Sequence, residues 1–301
     1  MILIISKKND ISTLEVLKWL NRMDKPYILI QEDEVFEIRI QGKRLYLESQ
    51  RNVFFIDDIS SVWYRRGGIQ FLRRQYSNPS VNIHMNEAQH WLEDYVMNAL
   101  ESKKHISKQR NSHVNKLLVL EKAQKTGLDV PAFYLAKNTD DITPGKTITK
   151  SITGNVILEC IDSESDGIMY TSVIEEKESD DFFISFFQEK IEKDFEIRSF
   201  YLDGRIWSMA IFSQNDEQTK TDFRKYNTEN PNRNIRYRLP DHIEEKIIEL
   251  MRVLDLNCGS LDFIKSGDTY YFLEVNPVGQ FGNISFDCNY MLEKEIADYL
   301  Y

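Results

Sequence analysis

The chain opens on an apolar run, Ile2 to Ile5, bounded by polar residues, and this pattern predicts a buried first strand over Ile2–Ser6. Ser12-Thr-Leu-Glu15 has capping-box spacing, and Val16, Leu17 and Leu20 then recur on one helical face. Tyr27–Gln31 reads as a second strand, so the opening is strand–helix–strand, the signature of an α/β unit with parallel strands. Further strands are expected at Glu37–Ile40, Lys43–Glu48 and Val62–Arg65, with Gln41-Gly42 as a turn. Ala88, Trp91, Leu92, Tyr95, Val96 and Ala99 mark an amphipathic helix over 85–102 that Asn86 can cap. A basic connector carrying Lys103, Lys104, Lys108 and Arg110 follows. A second helix then runs from Val114 to Thr126 and stops at Gly127.

The second half changes period. Glu196–Leu202 and Arg205–Ser213 alternate, and Asp203-Gly204 between them is a strong hairpin signal. A polar loop is expected over 214–235, a helix over 241–254 with Ile243, Ile247, Ile248, Met251 and Leu254 on one side, and a last hairpin from Ser260–Lys265 and Thr269–Val275. Residues 138–181 hold eleven acids against three lysines, which suits a solvated lid surface or a docking face for a basic peptide.

Composition narrows the function classes. The chain has 301 residues, 42% hydrophobic and 29% charged, enough for about two domains with real cores. A net charge of −10 argues against general nucleic-acid binding, which rests on neutralising phosphates. Cys160, Cys258 and Cys288 are scattered and odd in number, which fits a reducing cytoplasm. The N-terminal apolar run is too short for a signal peptide or a membrane span. His84, His90, His105, His113 and His242 show no paired ligand spacing.

The chemistry concentrates near the C-terminus. In Leu273-Glu274-Val275-Asn276-Pro277, Glu274 and Asn276 lie two apart and share a strand face, and Asp262 lies on the partner strand. Two carboxylates and an amide suit Mg²⁺, which takes few protein ligands and leaves room for phosphates and water. Asp262 joins that face only if it pairs with Glu274 or Phe272, so the hairpin loop is expected to hold an odd number of residues rather than Gly267-Asp268 alone. Lys116 at a helix start and Lys150 at the end of a strand over Lys146–Ile152 are compact cations able to hold phosphate. Gln188-Glu189-Lys190-Ile191 offers linker backbone that can read an adenine edge, and Asp194 could reach ribose hydroxyls. Glu196 and Arg198 share one strand face.

In order, Lys116, Gly127-x-x-Val130-Pro131, Lys150, Gln188-Glu189, Glu196-x-Arg198, Asp222-Phe223-Arg224, Leu261-Asp262-Phe263 and Glu274-x-Asn276-Pro277 resemble the ATP-grasp ligases over roughly 110–282. Val62-Trp63-Tyr64-Arg65-Arg66, Asp222-Phe223-Arg224 and Asn276-Pro277-Val278-Gly279-Gln280-Phe281 look closer to the ATP-grasp maturases of ribosomal peptides, the microviridin-type graspetide macrocyclases and the grasp-with-spasm maturases. The resemblance implies an α/β (α+β) ATP-grasp fold with a Rossmann-like pre-grasp domain over 1–110, a central lid over 111–187 and a C-terminal antiparallel-sheet domain over 188–301. It implies ATP and Mg²⁺ as cofactors. Lys116, Lys150, Gln188, Glu189, Lys190, Ile191 and Asp194 would hold nucleotide, and Asp262, Glu274 and Asn276 the metal. Arg198 and Arg224 would be catalytic, while Arg65, Arg66 and Glu196 would meet substrate. One departure is the lid, where only Asp166-Gly167 stands in place of a glycine-rich phosphate loop. The implied activity is ATP-dependent ligation. Asp or Glu side chains of a ribosomal precursor peptide (leader plus core) would become acyl phosphates and close ester links to Ser or Thr, or amide links to Lys. The expected enzyme is a cytoplasmic homodimer with no nucleic-acid or membrane partner. Alternatives are an ATP-grasp amino-acid ligase that extends a peptide or protein tail, and a non-catalytic peptide-binding subunit.

Overall fold

The computed structural model describes residues 1–140, 142–153, 157–158, 167–168, 171–177, 181–214 and 232–301. Contacts divide the chain into two compact units, Met1–Ser112 with Met291–Tyr301, and His113–Tyr290. The C-terminal helix Leu292–Leu300 therefore belongs with the N-terminal unit, and the Ser61 hydroxyl donates to the Leu300 carbonyl at 2.6 Å.

In the first unit the strands Tyr27–Gln31, Ile2–Ser6, Ser61–Tyr64 and Lys104–Ile106 form, in that order, a parallel sheet, as the strand–helix–strand opening predicts. Leu3, Ile5, Ile30 and Val62 bury into its core. A second sheet joins Val53–Phe55, Arg44–Glu48, Val35–Gln41 and Gln70–Phe71. The first helix, Ile11–Arg22, is capped by Asp10 rather than by the expected Ser12, the Asp10 carboxylate accepting from Thr13 N at 2.8 Å. The expected 85–102 helix starts earlier. It runs Pro79–Glu101 with Asn78 as its cap and Pro at the first turn, where a missing N–H costs nothing. Its apolar stripe is only partly used: Val96 and Leu100 are buried, whereas Trp91 and Tyr95 are exposed.

In the second unit, an antiparallel sheet orders Ser172–Val173, Thr147–Thr149, Ser185–Glu189 and Phe133–Ala136. A five-stranded antiparallel sheet orders Arg233–Tyr237, Arg205–Phe212, Phe195–Leu202, Cys258–Ser266 and Thr269–Asn276. Arg233–Tyr237 is a strand where the polar loop was expected to run on to 235, its alternation too short and too charged to read as one; residues 215–231 of that loop lie outside those described. The Asp203-Gly204 hairpin is as expected: Leu202 pairs with Arg205, and both turn residues take positive φ (45° and 88°). Helices Lys116–Lys125 and Asp241–Val253 supply Val119, Leu120, Ala123, Ile243, Ile247 and Leu250 to one core with Ile197, Leu261, Phe263 and Phe272. This core fixes the strands that carry the candidate site. Among the described residues no helix is long and apolar enough to cross a membrane.

Candidate nucleotide and metal site

The last hairpin decides where the acids point. Its loop is Gly267-Asp268, since Ser266 pairs with Thr269, so the expected odd-length loop is not what forms. Continued regularly, that register would set Asp262 against Leu273 and turn Glu274 toward the core with Tyr270 and Phe272. A β-bulge between Asp262 and Phe263 prevents this, with Phe263 opposite Phe272 and Asp262 opposite Glu274. The extra residue, Leu273, restores the face that a longer loop would have supplied. Asp262 and Glu274 thus stand directly across from one another, and Asn276 lies on the same face two pairs further along, opposite Ser260.

Each acid meets a cation. Arg198, opposite Asp262 on the neighbouring strand, donates through Nη1 to both Asp262 oxygens at 3.1 Å and through Nη2 to Gln280 Oε1 at 3.1 Å. Lys116, first residue of a helix capped by Asn115, places Nζ 3.0 Å from Glu274 Oε2 and donates to the Ser151 carbonyl at 3.3 Å. The Asn276 side-chain oxygen accepts from Val278 N at 3.0 Å, which shapes the turn and leaves a second lone pair. Among the described residues no three His, Cys, Asp or Glu side chains converge as a metal cluster. Two carboxylates and an amide are what Mg²⁺ needs when phosphate and water complete its shell, so the donor set fits that ion.

Asp262 and Glu274 line a cavity together with Pro131, Ile148, Lys150, Gln188, Glu189, Lys190 and Ile191. Ile148 pairs with Gln188 and shares its sheet face; the strand expected over Lys146–Ile152 is only Thr147–Thr149, so Lys150 lies just past its end, with its ammonium 5.8 Å over the Phe186 ring. Gln188 is fully buried, and neither end of its amide has a hydrogen-bond partner among the described residues. Buried polar groups are normally satisfied, and leaving one unmade costs roughly 1–3 kcal/mol. An amide carrying both a donor and an acceptor matches the N6 and N7 edge of adenine.

Other expected residues land elsewhere. The Asp194 carboxylate accepts from Gly267 N at 2.9 Å, tying the linker to the hairpin turn, while Glu192 lines the cavity. Glu196 lines the cavity but is buried against Lys193, Oε1 to Nζ 2.5 Å, and its other oxygen accepts from the Ser213 hydroxyl at 2.9 Å. Arg65 and Arg66 lie past the end of their strand, so they do not diverge as strand neighbours would. Both approach Asp10, with Nε at 3.5 Å and 3.3 Å. Arg65 is 2% exposed and Arg66 36%. Burial raises the Asp10 carboxyl, but Arg65, the Thr13 bonds and Arg66 outweigh it and hold it below the usual range. Arg224, with Asp222-Phe223, lies outside the described residues, as do Cys160 and Asp166.

Sequence reasoning missed Glu192, Lys193, Ile264, Leu273 and Gln214 as lining residues, and Gln280 as a partner of Arg198. Alternation gives Gln214 no signal: Glu196 pairs with Ile211, its face continues through Ser213, and Gln214 lies past the end of the strand. Leu273 had no signal, because its place depends on the bulge.

Strand order, cavity and paired acids together define the ATP-grasp fold. No family model matches the sequence, and no curated protein does. Solved structures match along the whole chain. One is the macrocyclase MdnC bound with precursor peptide MdnA from Microcystis aeruginosa, 23% identical with a TM-score of 0.75, covering 100% of this chain and 99% of that one. A second is a RiPP-associated ATP-grasp ligase from Chryseobacterium gregarium in complex with ADP and a leader and core peptide. It is 24% identical with a TM-score of 0.76, covering 99% of this chain and 94% of that one. The D-alanine–D-alanine ligase of Bacillus anthracis complexed with ATP is similar more distantly, at 11% identity and a TM-score of 0.52, with coverage of 99% and 95%.

Proposed function

We propose that this chain is an ATP-dependent carboxylate ligase that closes side-chain ester or amide links in a ribosomally made precursor peptide. The observation that carries the reading is the convergence on one cavity of the Gln188–Ile191 linker, Lys150 and the facing pair Asp262 and Glu274. Linker backbone and the Gln188 amide would read adenine, and Glu192, which lines the cavity, would meet ribose alongside or in place of Asp194. Lys116 and Lys150 would hold phosphates. Asp262, Glu274 and Asn276 would hold Mg²⁺, which when bound neutralises charge developing on the phosphates.

A peptide carboxylate is a poor electrophile because oxide is a poor leaving group. Attack of its oxygen on the γ-phosphorus expels ADP and gives an acyl phosphate. A Ser, Thr or Lys side chain then attacks the carbonyl carbon, loses its proton and expels phosphate. Arg198, which bonds Asp262 and Gln280, would hold the acyl phosphate, with Arg224 as a second guanidinium. Of the two neighbouring arginines, Arg66 is the one open to substrate. The peptide substrate is supported by likeness along the whole chain to two structures that hold precursor or leader and core peptides. A reducing cytoplasm and a homodimer complete the proposal.

Intact-mass analysis of a candidate precursor after incubation with enzyme, ATP and Mg²⁺ tests this. Loss of one water per link is expected. A gain in mass would indicate an amino-acid ligase instead, and unchanged peptide with no nucleotide turnover would indicate a silent binding subunit.

A further inference from the structure

We infer that an exposed apolar stripe on the helix Pro79–Glu101 is the face on which a second copy of this chain docks, stripe against stripe about a two-fold axis. The inference rests on the homodimer named above, deepens it by assigning its interface, and stands apart from the nucleotide reading.

Val81, Met85, Ala88, Trp91, Leu92 and Tyr95 recur every three or four residues and so lie along one side of that helix. Val96 and Leu100 enter the core of the first unit, but the stripe does not: Trp91 is 69% exposed and Tyr95 63%, with Val81, Met85 and Leu92 exposed beside them. At these exposures roughly 500 Å² of apolar surface lies open along the stripe, near the upper end for the largest patch on a monomer. One partner of a standard homodimer brings about 800 Å² to its interface, about 65% of it apolar, so the stripe holds the apolar area that a stable dimer needs.

The chemistry of the stripe selects the occupant. The helix contains no Lys or Arg, so it lacks the cationic flank that holds an amphipathic helix on anionic lipid. No position of the stripe is charged, which leaves nothing to pair with a charged peptide. The stripe does match itself. Antiparallel copies crossing at Ala88 set Val81 opposite Tyr95 of the second copy, Met85 opposite Leu92 and the exposed His84 opposite Trp91. Each large ring then meets a smaller side chain, and the small Ala88 at the crossing lets the two helices approach closely.

The test is analytical ultracentrifugation of the full chain, paired with oxidative cross-linking. The natural chain should sediment at twice its 35.6 kDa mass. Trp91→Glu should raise the dissociation constant of the dimer at least about hundredfold, because the two-fold axis places each substitution in the interface twice. Ala88→Cys, next to the axis, should form a disulfide-linked dimer on mild oxidation. Ile83→Cys, on another side of the helix, should not, and neither should the natural chain with Cys160, Cys258 and Cys288. The cross-link is read on a chain whose stripe is otherwise intact, so it stands even if Trp91→Glu fails to fold. A natural chain that sediments as a monomer overturns both the homodimer and its interface, and flotation of that monomer with phosphatidylglycerol vesicles would assign the stripe to lipid instead. A dimer that survives Trp91→Glu and leaves Ala88→Cys unlinked overturns the interface alone. Nucleotide binding and turnover are separate measurements, so neither result bears on the ligase reading.

Discussion

Gln188 is buried in a sheet with an amide that no group among the described residues satisfies. That is a standing cost in the ligand-free chain and, on the proposed reading, an asset once a base is bound. Gln188→Met should therefore leave the melting temperature of the ligand-free protein equal or higher while weakening nucleotide binding about tenfold, the value of one hydrogen bond. A variant that melts lower and binds normally would show that the amide is structural. Arg198 carries a different burden, since it bonds Asp262 and Gln280 at once. Arg198→Ala should lower turnover about 10²- to 10³-fold, as losing a transition-state donor does, with the peptide's KM little changed. Asp10 serves stability instead. It caps a helix and pairs with two arginines, and its folded carboxyl is more acidic than the ordinary 3.8. Its contribution is thus present above that pH and is lost as pH falls through the lower folded value. Melting curves on acidification should show natural protein and Asp10→Asn converging below about pH 4.

At the scale of elements, the last hairpin and the turn after it set the site. Residues identified by kind and spacing, Lys116, Lys150, Gln188, Asp262 and Glu274, were legible because strand alternation and helix starts are local properties. The device that makes Asp262 face Glu274 was not. Both a longer loop and a bulge satisfy the same alternation, and the choice between them depends on how Phe263 and Phe272 pack in the core. The first helix cap was misread for a similar reason. Ser12 has the right spacing, but Asp10 is held in place by Arg65 and Arg66, which come from distant sequence. The turn after the hairpin is equally specific. Gly279 has φ +65°, and a Cβ there would lie 2.7 Å from Cys258 Sγ and 3.2 Å from the Phe200 ring. Gly204 also has positive φ, yet a Cβ there meets nothing within 4 Å. Gly204→Ala should cost about 1 kcal/mol from backbone conformation alone, and Gly279→Ala about 2–4 kcal/mol from conformation plus crowding. Denaturant unfolding of the two variants checks the ranking; equal losses would mean that the turn can shift without strain.

Over the whole molecule, element order was sufficient for the parallel α/β opening and the C-terminal antiparallel hairpins, whereas the central antiparallel sheet, built from short strands, had no such signal. It was insufficient for the placement of the last helix, which joins the N-terminal unit through Ser61 and Leu300. Contacts between chain ends have no local signature. The proposed function requires two ligands to meet in one cavity, and a crystal structure of the chain with Mg²⁺ and a non-hydrolysable ATP analogue tests that most directly. The account predicts adenine against Gln188–Ile191, phosphates at Lys116 and Lys150, and the metal between Asp262 and Glu274. Nucleotide bound elsewhere, or nucleotide in the cavity with no metal at Asp262 and Glu274, would contradict it.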